Sequence, residues 1–464
     1  MKKDKPLLVI LVILLFNFYL SSGLQPKLQK NHPPRPDKRE KKIKKGDLPP
    51  SPLKGRRSGF HSSRSRYVPG EVLVKFKSYF SPQMAEARIA AYEARKIKKI
   101  PRLNIYQIQI PAYTTVMDMV SLLNQNPDVE YAEPNYIGHI AVTPNDAFFN
   151  WQYALYNSGQ EIWDNGPQGT PRADIRATEA WEETKGVSDI IVAVLDTGVD
   201  MTHPDIDENI YSAGRDFVND DYDATDDHGH GTHVAGIIGA ETNNNRGIAG
   251  VTWNCRILPV KVADSNGDVV NSALVDGIRW AADNGAGVIN LSLGGDVPSQ
   301  AVEDALLYAY DKNIVIAAAA GNDGGPVLYP AAYDEYCLAV AATDYNDQNP
   351  WWSNFGPQID VAAPGVKVLS LVPTWSTGPE FPYDWKDGTS MSTPHVSGLA
   401  ALVKGIKPWL ENWEIMQIIR FSADDVNSSQ YPGKDEYIGY GRINMEKALV
   451  PLIITSIKKN FSDK

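Results

Sequence analysis

The sequence has few cysteines and no long apolar run. Two cysteines in 464 residues exclude a disulfide-stabilised scaffold. The most apolar stretch, Leu7 to Leu20, would reach about 21 Å as a helix, short of a hydrocarbon layer of about 30 Å. No later stretch is long and apolar enough to span a bilayer. The chain is therefore not a multi-span membrane protein, and its 43% hydrophobic and 22% charged residues are typical of a soluble globular protein.

Basic residues are scarce in the C-terminal two thirds of the chain. The formal net charge is −11, but residues 1–68 have a net charge of +13 and residues 69–141 of +1. Residues 142–464 hold 20 basic and 45 acidic residues, a net charge of −25. An acidic body of this kind repels nucleic acid and attracts cations. Nucleic acid is therefore excluded as a partner.

The N-terminal residues predict export. Three lysines among the first five residues, an apolar run and the small residues Ser21 to Gly23 are typical of a secretory signal peptide at 1–23. The alternative is an uncleaved membrane anchor, and both place the bulk of the chain outside the cytoplasm. Residues 24–67 are rich in Pro, Lys and Arg and predict a disordered linker. This linker is either a solvated spacer or a segment that touches anionic lipid or cell wall.

Residues 68–141 predict a small α+β domain. Apolar and polar residues alternate from Val68, which indicates a half-buried strand. The further elements are a helix at 82–99, a strand at Ile105–Ile110, a helix from about Thr115 and a strand at Val129–Ala132. Strand, helix, strand, helix, strand within about 70 residues favours a compact unit.

Residues 142–450 predict a doubly wound α/β domain with a mostly parallel sheet flanked by helices. Continuous apolar runs indicate strands that are buried on both faces; they lie at Ile190–Leu195, Arg256–Val262, Val288–Leu293, Ile314–Ala320 and Cys337–Ala342. Helical patterns alternate with them at Asn271–Asn284, Ser299–Lys312 and Ser392–Lys404. Chemistry in such folds lies at the carboxyl ends of the strands. Residues 451–464 form only a short tail.

Three segments have side chains suited to catalysis: Asp196-Thr197-Gly198, the run HGHGTHVAG at 228–236, and GTSMSTPH at 388–395. Each alone has an ordinary explanation: a turn, a metal site and a helix cap, respectively. The H-E-x-x-H pattern of zinc proteases is absent, however. A serine hydroxyl becomes a nucleophile when a histidine removes its proton and an acid orients that histidine. The chain order Asp196, His230, Ser390 is the order found in subtilisin.

With these segments, residues 68–450 resemble the subtilisin-like serine proteases, in particular the thermitase-like branch. The resemblance implies that Asp196, His230 and Ser390 form a catalytic triad. It also implies that Asn322, in the segment Ala319-Ala320-Gly321-Asn322, donates to the oxyanion, although an asparagine there is also a common turn former. Ser292, Leu293 and Gly294 match the segment that pairs with the substrate backbone. Leu328 would lie near the floor of the primary side-chain pocket.

The resemblance further implies calcium binding. The carboxylate-rich segment 216–227 would supply a first site from Asp216, Asn219, Asp221 and Asp223, with Asp226 as a further candidate. The alternative is a solvated acidic loop. A second site would use the side chains of Asp146, Asp205 and Asn244 and the carbonyls of Glu241, Arg246 and Ile248. Bound Ca²⁺ would stabilise the fold against unfolding.

By the same resemblance, residues 68–141 are an inhibitory propeptide that assists folding, occupies the active site and is removed between about Tyr136 and Val142. The expected protein is a monomeric, secreted endopeptidase that acts on proteins and peptides. Membrane association is expected only if the N-terminal segment stays uncleaved. Two alternatives are a catalytically silent peptide-binding relative and a membrane-tethered adhesion or cation-binding protein. Cys255 and Cys337 lie in apolar contexts and are expected to be buried free thiols.

Overall fold

The computed structural model describes residues 67–137, 142–378 and 380–449. The predicted signal peptide at 1–23, the linker up to residue 66 and the tail at 451–464 lie outside these residues, as does part of the expected processing segment. Within the described ranges, none of the helices has the length and hydropathy needed to cross a bilayer.

The N-terminal part is a four-stranded antiparallel sheet with two helices, in the strand order β2–β3–β1–β4. Its elements are β1 (Tyr67–Phe76), α1 (Pro82–Ala91), β2 (Arg95–Ile100), β3 (Ile105–Gln109), α2 (Val116–Asn124) and β4 (Val129–Tyr136). Alternate residues of β1, among them Val72 and Val74, are buried together with Ile108 and Leu123. The hydroxyl groups of Ser81 and Thr115 cap the two helices. The predicted α+β unit thus has its own apolar core.

The prediction of one helix over 82–99 is wrong in its second half. The helix ends at Ala91, and Glu93 has a φ of 55°, a conformation that a helix does not continue through. Residues Arg95–Ile100 then form β2, which pairs with β3 and with no other strand of the described part of the chain. The lysines and arginine of β2 stay exposed, and charged residues are common on edge strands because they oppose further strand pairing. The order is therefore strand, helix, strand, strand, helix, strand.

The C-terminal part is built on a parallel sheet of seven strands in the order β11–β10–β9–β8–β5–β7–β6. The strands are β5 (Ile191–Asp196), β6 (Arg215–Asp216), β7 (Arg256–Lys261), β8 (Val288–Leu291), β9 (Val315–Ala319), β10 (Leu338–Thr343) and β11 (Ile359–Pro364). An antiparallel pair lies outside this sheet, β12 (Val368–Leu371) and β13 (Tyr383–Lys386). The predicted parallel sheet is confirmed.

Helices cover both faces of the sheet. They are α3 (Ala177–Ala180), α4 (His230–Gly239), α5 (Asn271–Asp283), α6 (Gln300–Asp311), α7 (Thr374–Thr377), α8 (Thr389–Ile406), α9 (Asn412–Ser422) and α10 (Met445–Leu449), with 3-10 turns at Phe149–Trp151 and Asp207–Asn209. Val192 and Val194 of β5 pack in a core with α4 and α8, whereas Ala193 and Leu195 pack in a second core with α5 and α6. This alternation explains why the strand is apolar from Ile191 to Leu195.

The sequence pattern missed two strands of this sheet. β11 contains Asp360, which is buried and pairs with Arg420 at 2.8 Å, so that a polar residue interrupts the apolar run. β6 has only two residues, Arg215 and Asp216, too few for a periodic pattern. The start of α8 was also placed too late: the helix begins at Thr389, so that Ser390 is already helical.

Candidate active site

The carboxyl end of β5 and the first residue of α4 meet in a hydrogen bond. His230 Nδ1 lies 2.7 Å from Asp196 Oδ1, and Asp196 is only 2% exposed. The same carboxylate oxygen accepts a hydrogen bond from the Thr197 backbone N–H at 2.8 Å. Gly231 makes this approach possible, because a Cβ there would lie 2.1 Å from the carbonyl oxygen of Gly198. The structure thus places two of the predicted site residues in direct contact.

The electrostatics of this pair favour the charged imidazole. Burial alone lowers the pKa of His230, but the charge of Asp196 and its hydrogen bond offset this effect, and the net pKa is raised above the ordinary value. Asp226 also raises the pKa of His230, whereas Lys386 lowers it. A histidine held in this way can accept a proton and be stabilised as an imidazolium.

Ser390 lies in the first turn of α8, near β8. Its hydroxyl donates to the carbonyl oxygen of Ser292 at 3.1 Å. The carbonyl of Ser390 in turn accepts a hydrogen bond from Ser292 Oγ at 2.8 Å. This carbonyl is available because Pro394, four residues later, has no N–H to bind it. The proline thus leaves this carbonyl free to accept from Ser292, the residue that follows β8, and this hydrogen bond holds the start of the helix.

Asn322 follows β9 and faces the start of α8. Its Oδ1 accepts hydrogen bonds from the backbone N–H of Thr389 at 2.8 Å and from the hydroxyl of Thr389 at 3.0 Å. The amide oxygen is thereby occupied, and the Nδ2 group is left as the donor at an exposed position. The Ser390 backbone N–H belongs to the first turn of its helix, where N–H groups have no intrahelical partner. Two donors are therefore available beside Ser390.

The segment Ser292–Gly294 continues from β8 towards this site. A Cβ on Gly294 would lie 3.1 Å from Leu328 Cβ, and one on Gly321 would lie 2.8 Å from Leu328 Cγ. Leu328 therefore lies between the Ser292–Gly294 segment and the Gly321–Asn322 turn. Gly295 follows Gly294 in the chain, and Tyr329 follows Leu328. These two residues exchange two backbone hydrogen bonds of 2.8 Å. The structure thus places Leu328 next to Gly294, the last residue of the predicted backbone-binding segment.

Comparison with known proteins decides the family. A family model described as the subtilase family matches residues 187–441, and one described as the fervidolysin N-terminal prodomain matches residues 60–135. The chain belongs to the subtilase family. It is a serine protease of that family with a prodomain, as the resemblance in sequence predicted.

Several named proteases are similar to this subtilase over most of its length. The thermophilic serine proteinase of Bacillus sp. strain AK1 is 42% identical over 83% of this chain and 88% of its own length. Thermitase of Thermoactinomyces vulgaris is 40% identical over 66% of this chain and 99% of its own length. A solved protease structure from Pseudoalteromonas arctica has a TM-score of 0.56 and 31% identity, over 66% of this chain and 99% of that chain.

One set of the predicted calcium ligands comes together in the subtilase fold. Asp146 accepts hydrogen bonds from the backbone N–H groups of Asn243 and Asn244, and Asn244 Nδ2 donates to Asp205 at 2.8 Å. Asp146 is 5% exposed and Asp205 is fully buried, and no ion pair with a basic side chain is found for either among the described residues. Burial raises the pKa of Asp205 to about 7 and also raises that of Asp146. Buried oxygens without a neutralising charge fit a cation.

The other residues predicted for this site surround the same loop. Glu241 donates its N–H to the Asp205 carbonyl at 2.8 Å, while its side chain accepts from the Glu208 N–H. Ile248 N–H donates to Asp205 Oδ2 at 3.0 Å, and Arg246 N–H donates to Asn244 Oδ1 at 2.8 Å. The backbone thus holds the loop against Asp205. Across the described residues, no three Asp, Glu, His or Cys side chains meet as metal ligands, so the remaining oxygens would come from Asn244 and carbonyls.

The acidic segment at 216–227 is held by its own turns. Asp216 accepts from the N–H groups of Val218 and Asn219 and from Asn219 Nδ2. Asp221 accepts from the Asp223 N–H at 2.9 Å, and Asp223 accepts from Thr225. These four predicted ligands thus lie along one tightly turned loop, but within the described residues their three carboxylates do not meet as a metal-binding group.

Asp226 differs from the other acidic residues of that segment. It is 1% exposed, and five hydrogen bonds to its two oxygens come from the loop and helix that contain His230 and from Thr197. The structure therefore places Asp226 with the histidine loop, where these five donors occupy its two oxygens. Sequence reasoning also missed Lys261, whose ammonium donates to the Thr197 carbonyl at 2.8 Å. A lysine that ends the apolar run RILPVK was the available signal.

Both cysteines are free and buried. Burial raises the pKa of the Cys255 thiol to about 11 and that of the Cys337 thiol still further. Thiolates react, and protonated buried thiols do not. Neither cysteine belongs to the site.

Proposed function

We propose that this subtilase is a secreted, calcium-stabilised serine endopeptidase in which Asp196, His230 and Ser390 form the catalytic triad. The observation that carries the proposal is the 2.7 Å hydrogen bond between His230 Nδ1 and the buried Asp196 carboxylate, at the strand end where this fold keeps its chemistry. Ser390, at the start of α8, supplies the nucleophile.

In the proposed mechanism, Ser390 Oγ leaves its hydrogen bond to the Ser292 carbonyl and donates instead to His230 Nε2. His230 then takes the proton while Oγ attacks the scissile carbonyl, and it later gives the proton to the leaving amine. Asp196 keeps the imidazole oriented and stabilises its charged form. The resulting acyl-enzyme is hydrolysed by water in the reverse sense.

The charge that develops on the substrate oxygen would be stabilised by two donors, Asn322 Nδ2 and the Ser390 backbone N–H. Asn322 suits this role because both hydrogen bonds from Thr389 fall on its amide oxygen, which fixes the side chain and leaves the nitrogen free. A donor that is held in place before the reaction stabilises the transition state without reorganisation.

Substrate binding would use Ser292, Leu293 and Gly294 as a strand to which the peptide backbone adds, with Leu328 at the floor of the primary side-chain pocket. Pairing through the main chain gives affinity with little side-chain selectivity. The proximity of Leu328 to Gly294 and Gly321 supports an apolar pocket. A peptide-library profile that favours Lys or Arg at the cleaved position would contradict this assignment.

The proposed organisation is a signal peptide at 1–23, a linker at 24–67, an inhibitory propeptide at 68–141, a catalytic domain at 142–450 and a tail at 451–464. The prodomain match at residues 60–135 supports the third assignment. The enzyme would cut its own chain between about Tyr136 and Val142.

Two calcium ions would bind to the catalytic domain. One Ca²⁺ would be held by the side chains of Asp146, Asp205 and Asn244 and by the carbonyls of Glu241, Arg246 and Ile248. The other would be held by the loop with Asp216, Asn219, Asp221 and Asp223. Calcium would act on stability and not on the chemical steps.

The experiment that tests this function compares the purified protein with Ser390→Ala on casein, with and without a serine-directed fluorophosphonate. We expect the wild-type protein to hydrolyse casein, to be labelled once and to lose its activity on labelling. Ser390→Ala is expected to be inactive, unlabelled and isolated as the unprocessed precursor. A stable wild-type protein that binds peptides without cleaving them would instead indicate a silent relative. Normal maturation of Ser390→Ala in a protease-free host would refute self-cleavage.

A further inference from the structure

A cluster of three buried side chains, Thr197, Asp226 and Thr232, lies directly behind the hydrogen-bonded aspartate and histidine. Asp226 Oδ1 accepts from Thr197 Oγ1 at 2.8 Å, and Asp226 Oδ2 accepts from the Thr232 hydroxyl at 2.6 Å and from its N–H at 2.9 Å. Two more N–H groups donate to Oδ1, those of His228 at 3.0 Å and Gly229 at 2.8 Å. One carboxylate thus joins the end of β5, the loop before α4 and the first turn of α4.

Thr197 connects this cluster to both members of the pair. Its backbone N–H donates to Asp196 Oδ1 at 2.8 Å, the oxygen that contacts His230. Its hydroxyl oxygen accepts from the N–H of Gly231 at 2.9 Å while it donates to Asp226. The hydroxyl therefore links the residue after Asp196 to the residue after His230. A shift of this side chain would move both partners.

Two contacts fix the cluster from outside. Lys261 is 1% exposed, and its ammonium donates to the Thr197 carbonyl at 2.8 Å and to the Ala263 carbonyl at 3.0 Å. The indole N–H of Trp375 donates to the backbone carbonyl of Asp226 at 3.1 Å. The third N–H of the Lys261 ammonium donates to Asp227 at 2.6 Å, so that all three protons of the ammonium are in hydrogen bonds.

We propose that Asp226 is a positioning residue of the reaction, which acts through Thr197 and the first turn of α4 to hold Asp196 and His230 at hydrogen-bond distance. This inference rests on the proposed function, because it requires those two residues to be the acid–base pair. An aspartate serves at this place because an ionised carboxylate accepts from several donors and has no proton of its own to place. Asparagine offers one acceptor oxygen and two donors, so it cannot satisfy the same five donors.

The test uses Asp226→Asn together with the matched pair Thr197→Val and Thr197→Ser. Each variant is titrated with the fluorophosphonate, so that turnover is expressed per labelled site. We expect Asp226→Asn and Thr197→Val to lose about 10-fold to 100-fold in kcat with little change in KM, since a displacement of about 1 Å can cost about 10²-fold. Thr197→Ser keeps the hydroxyl and is expected to stay near wild type. Asp276→Asn, an exposed α5 residue that pairs with Arg279, is the charge-matched control.

The pH profile of kcat/KM separates positioning from a merely structural role. Asp196 raises the pKa of His230, so a looser pair moves the acid limb to lower pH. Asp226→Asn also removes a charge that raises this pKa, whereas Thr197→Val leaves Asp226 and the opposing Lys386 in place. A shift of the limb in Thr197→Val therefore reports geometry alone.

The inference is overturned if Thr197→Val keeps the wild-type kcat and acid limb per labelled site, or if Thr197→Ser loses as much as Thr197→Val. It is also overturned if the variants differ from wild type only in the labelled fraction, because that result indicates stability alone. A wild-type protein that is not labelled at all would refute the proposed function itself, and this outcome is distinct from the others.

Discussion

Three charged groups act on His230, and they differ in sign. Asp196 and Asp226 raise its pKa, whereas Lys386, at the end of β13, lowers it. No ion pair of Lys386 with a carboxylate is found among the described residues, so its charge is not neutralised by a close neighbour. The pKa of the proposed base therefore depends on a residue that lies outside the triad, four positions before Ser390.

We expect Lys386→Gln to shift the acid limb of the kcat/KM profile to higher pH. His230 acts as a base only when it is neutral, and removal of a nearby positive charge raises its pKa further, so that activity is lost at a higher pH as the solution is acidified. The shift in the acid limb should be smaller at high ionic strength, because salt screens the electrostatic effect of a partly exposed charge.

The control for this experiment is Lys367→Gln on the same hairpin. Lys367 pairs with Asp387 at 3.0 Å, and it is not one of the main influences on the pKa of His230. It should leave the acid limb in place. A Lys386→Gln profile that coincides with wild type at low salt would contradict the expectation.

Asn322 gives a second prediction for a single side chain. In subtilisin, a member of the same family, removing a side-chain oxyanion donor lowers kcat by about 10²–10³-fold. We expect a loss of this size for Asn322→Ala, with KM little changed, because the donor contacts the substrate oxygen mainly in the transition state. Steady-state kinetics on a peptide substrate measure it, and a loss of less than about 10-fold in properly folded protein would count against the role.

At the scale of elements, the contact between α4 and β5 determines whether His230 reaches Asp196. A Cβ on Gly231 would lie 2.1 Å from the Gly198 carbonyl oxygen and 3.0 Å from Asp196 Cβ. We expect Gly231→Ala to push α4 away from β5, to lower kcat by about 10² or more and to destabilise the fold by about 1–3 kcal/mol. Kinetics per labelled site and urea unfolding measure the two effects.

Gly239→Ala is the matched control at the other end of the same helix. Its Cβ would lie 3.2 Å from the end of the Ile257 side chain, which can adjust, and 3.6 Å from Thr252 Oγ1, an ordinary contact distance. We expect nearly unchanged kcat. If both variants lost activity equally, the effect would come from the helix as a whole and not from its approach to Asp196.

The sequence predicted best those elements whose residues are buried on both faces. β5 is buried on both faces, so its apolar run marks the strand, and the motif residues follow directly at its end. β2 was missed because RKIKKI suits a helix as well as an exposed edge strand. For the site, the motifs predicted that Asp196 and His230 meet, but not that Asp226 bonds to Thr197. That contact joins residues 29 positions apart and depends on how β5 and α4 approach each other.

At the scale of the whole molecule, the acidic body and the buried carboxylates both favour cation binding. Residues 142–464 have a net charge of −25, and each bound Ca²⁺ would remove two negative charges. Asp146 and Asp205 lack a basic partner among the described residues, which makes the folded state costly unless a cation neutralises them. Calcium would therefore stabilise the native state more than the unfolded one.

We expect excess EDTA to shorten the half-life of the mature enzyme at elevated temperature. A site filled at 100 times its Kd contributes about 2.7 kcal/mol to the free energy of unfolding. Asp205→Asn should be less stable and less responsive to added Ca²⁺, whereas Asp304→Asn, exposed on α6, should behave as wild type. Thermal inactivation with and without calcium measures this, and an unchanged half-life in EDTA would count against both sites.

The two buried thiols have a practical consequence for following this protein in solution. The chain has no cysteine besides Cys255 and Cys337, and both are enclosed with their pKa values raised. Maleimide dyes should therefore spare the native protein. A cysteine introduced at an exposed position, for example by Asp276→Cys on α5, would become a unique attachment point. With a second introduced cysteine on the edge strand of the prodomain, energy transfer between two dyes would test in single molecules whether and when the proposed release of that domain takes place.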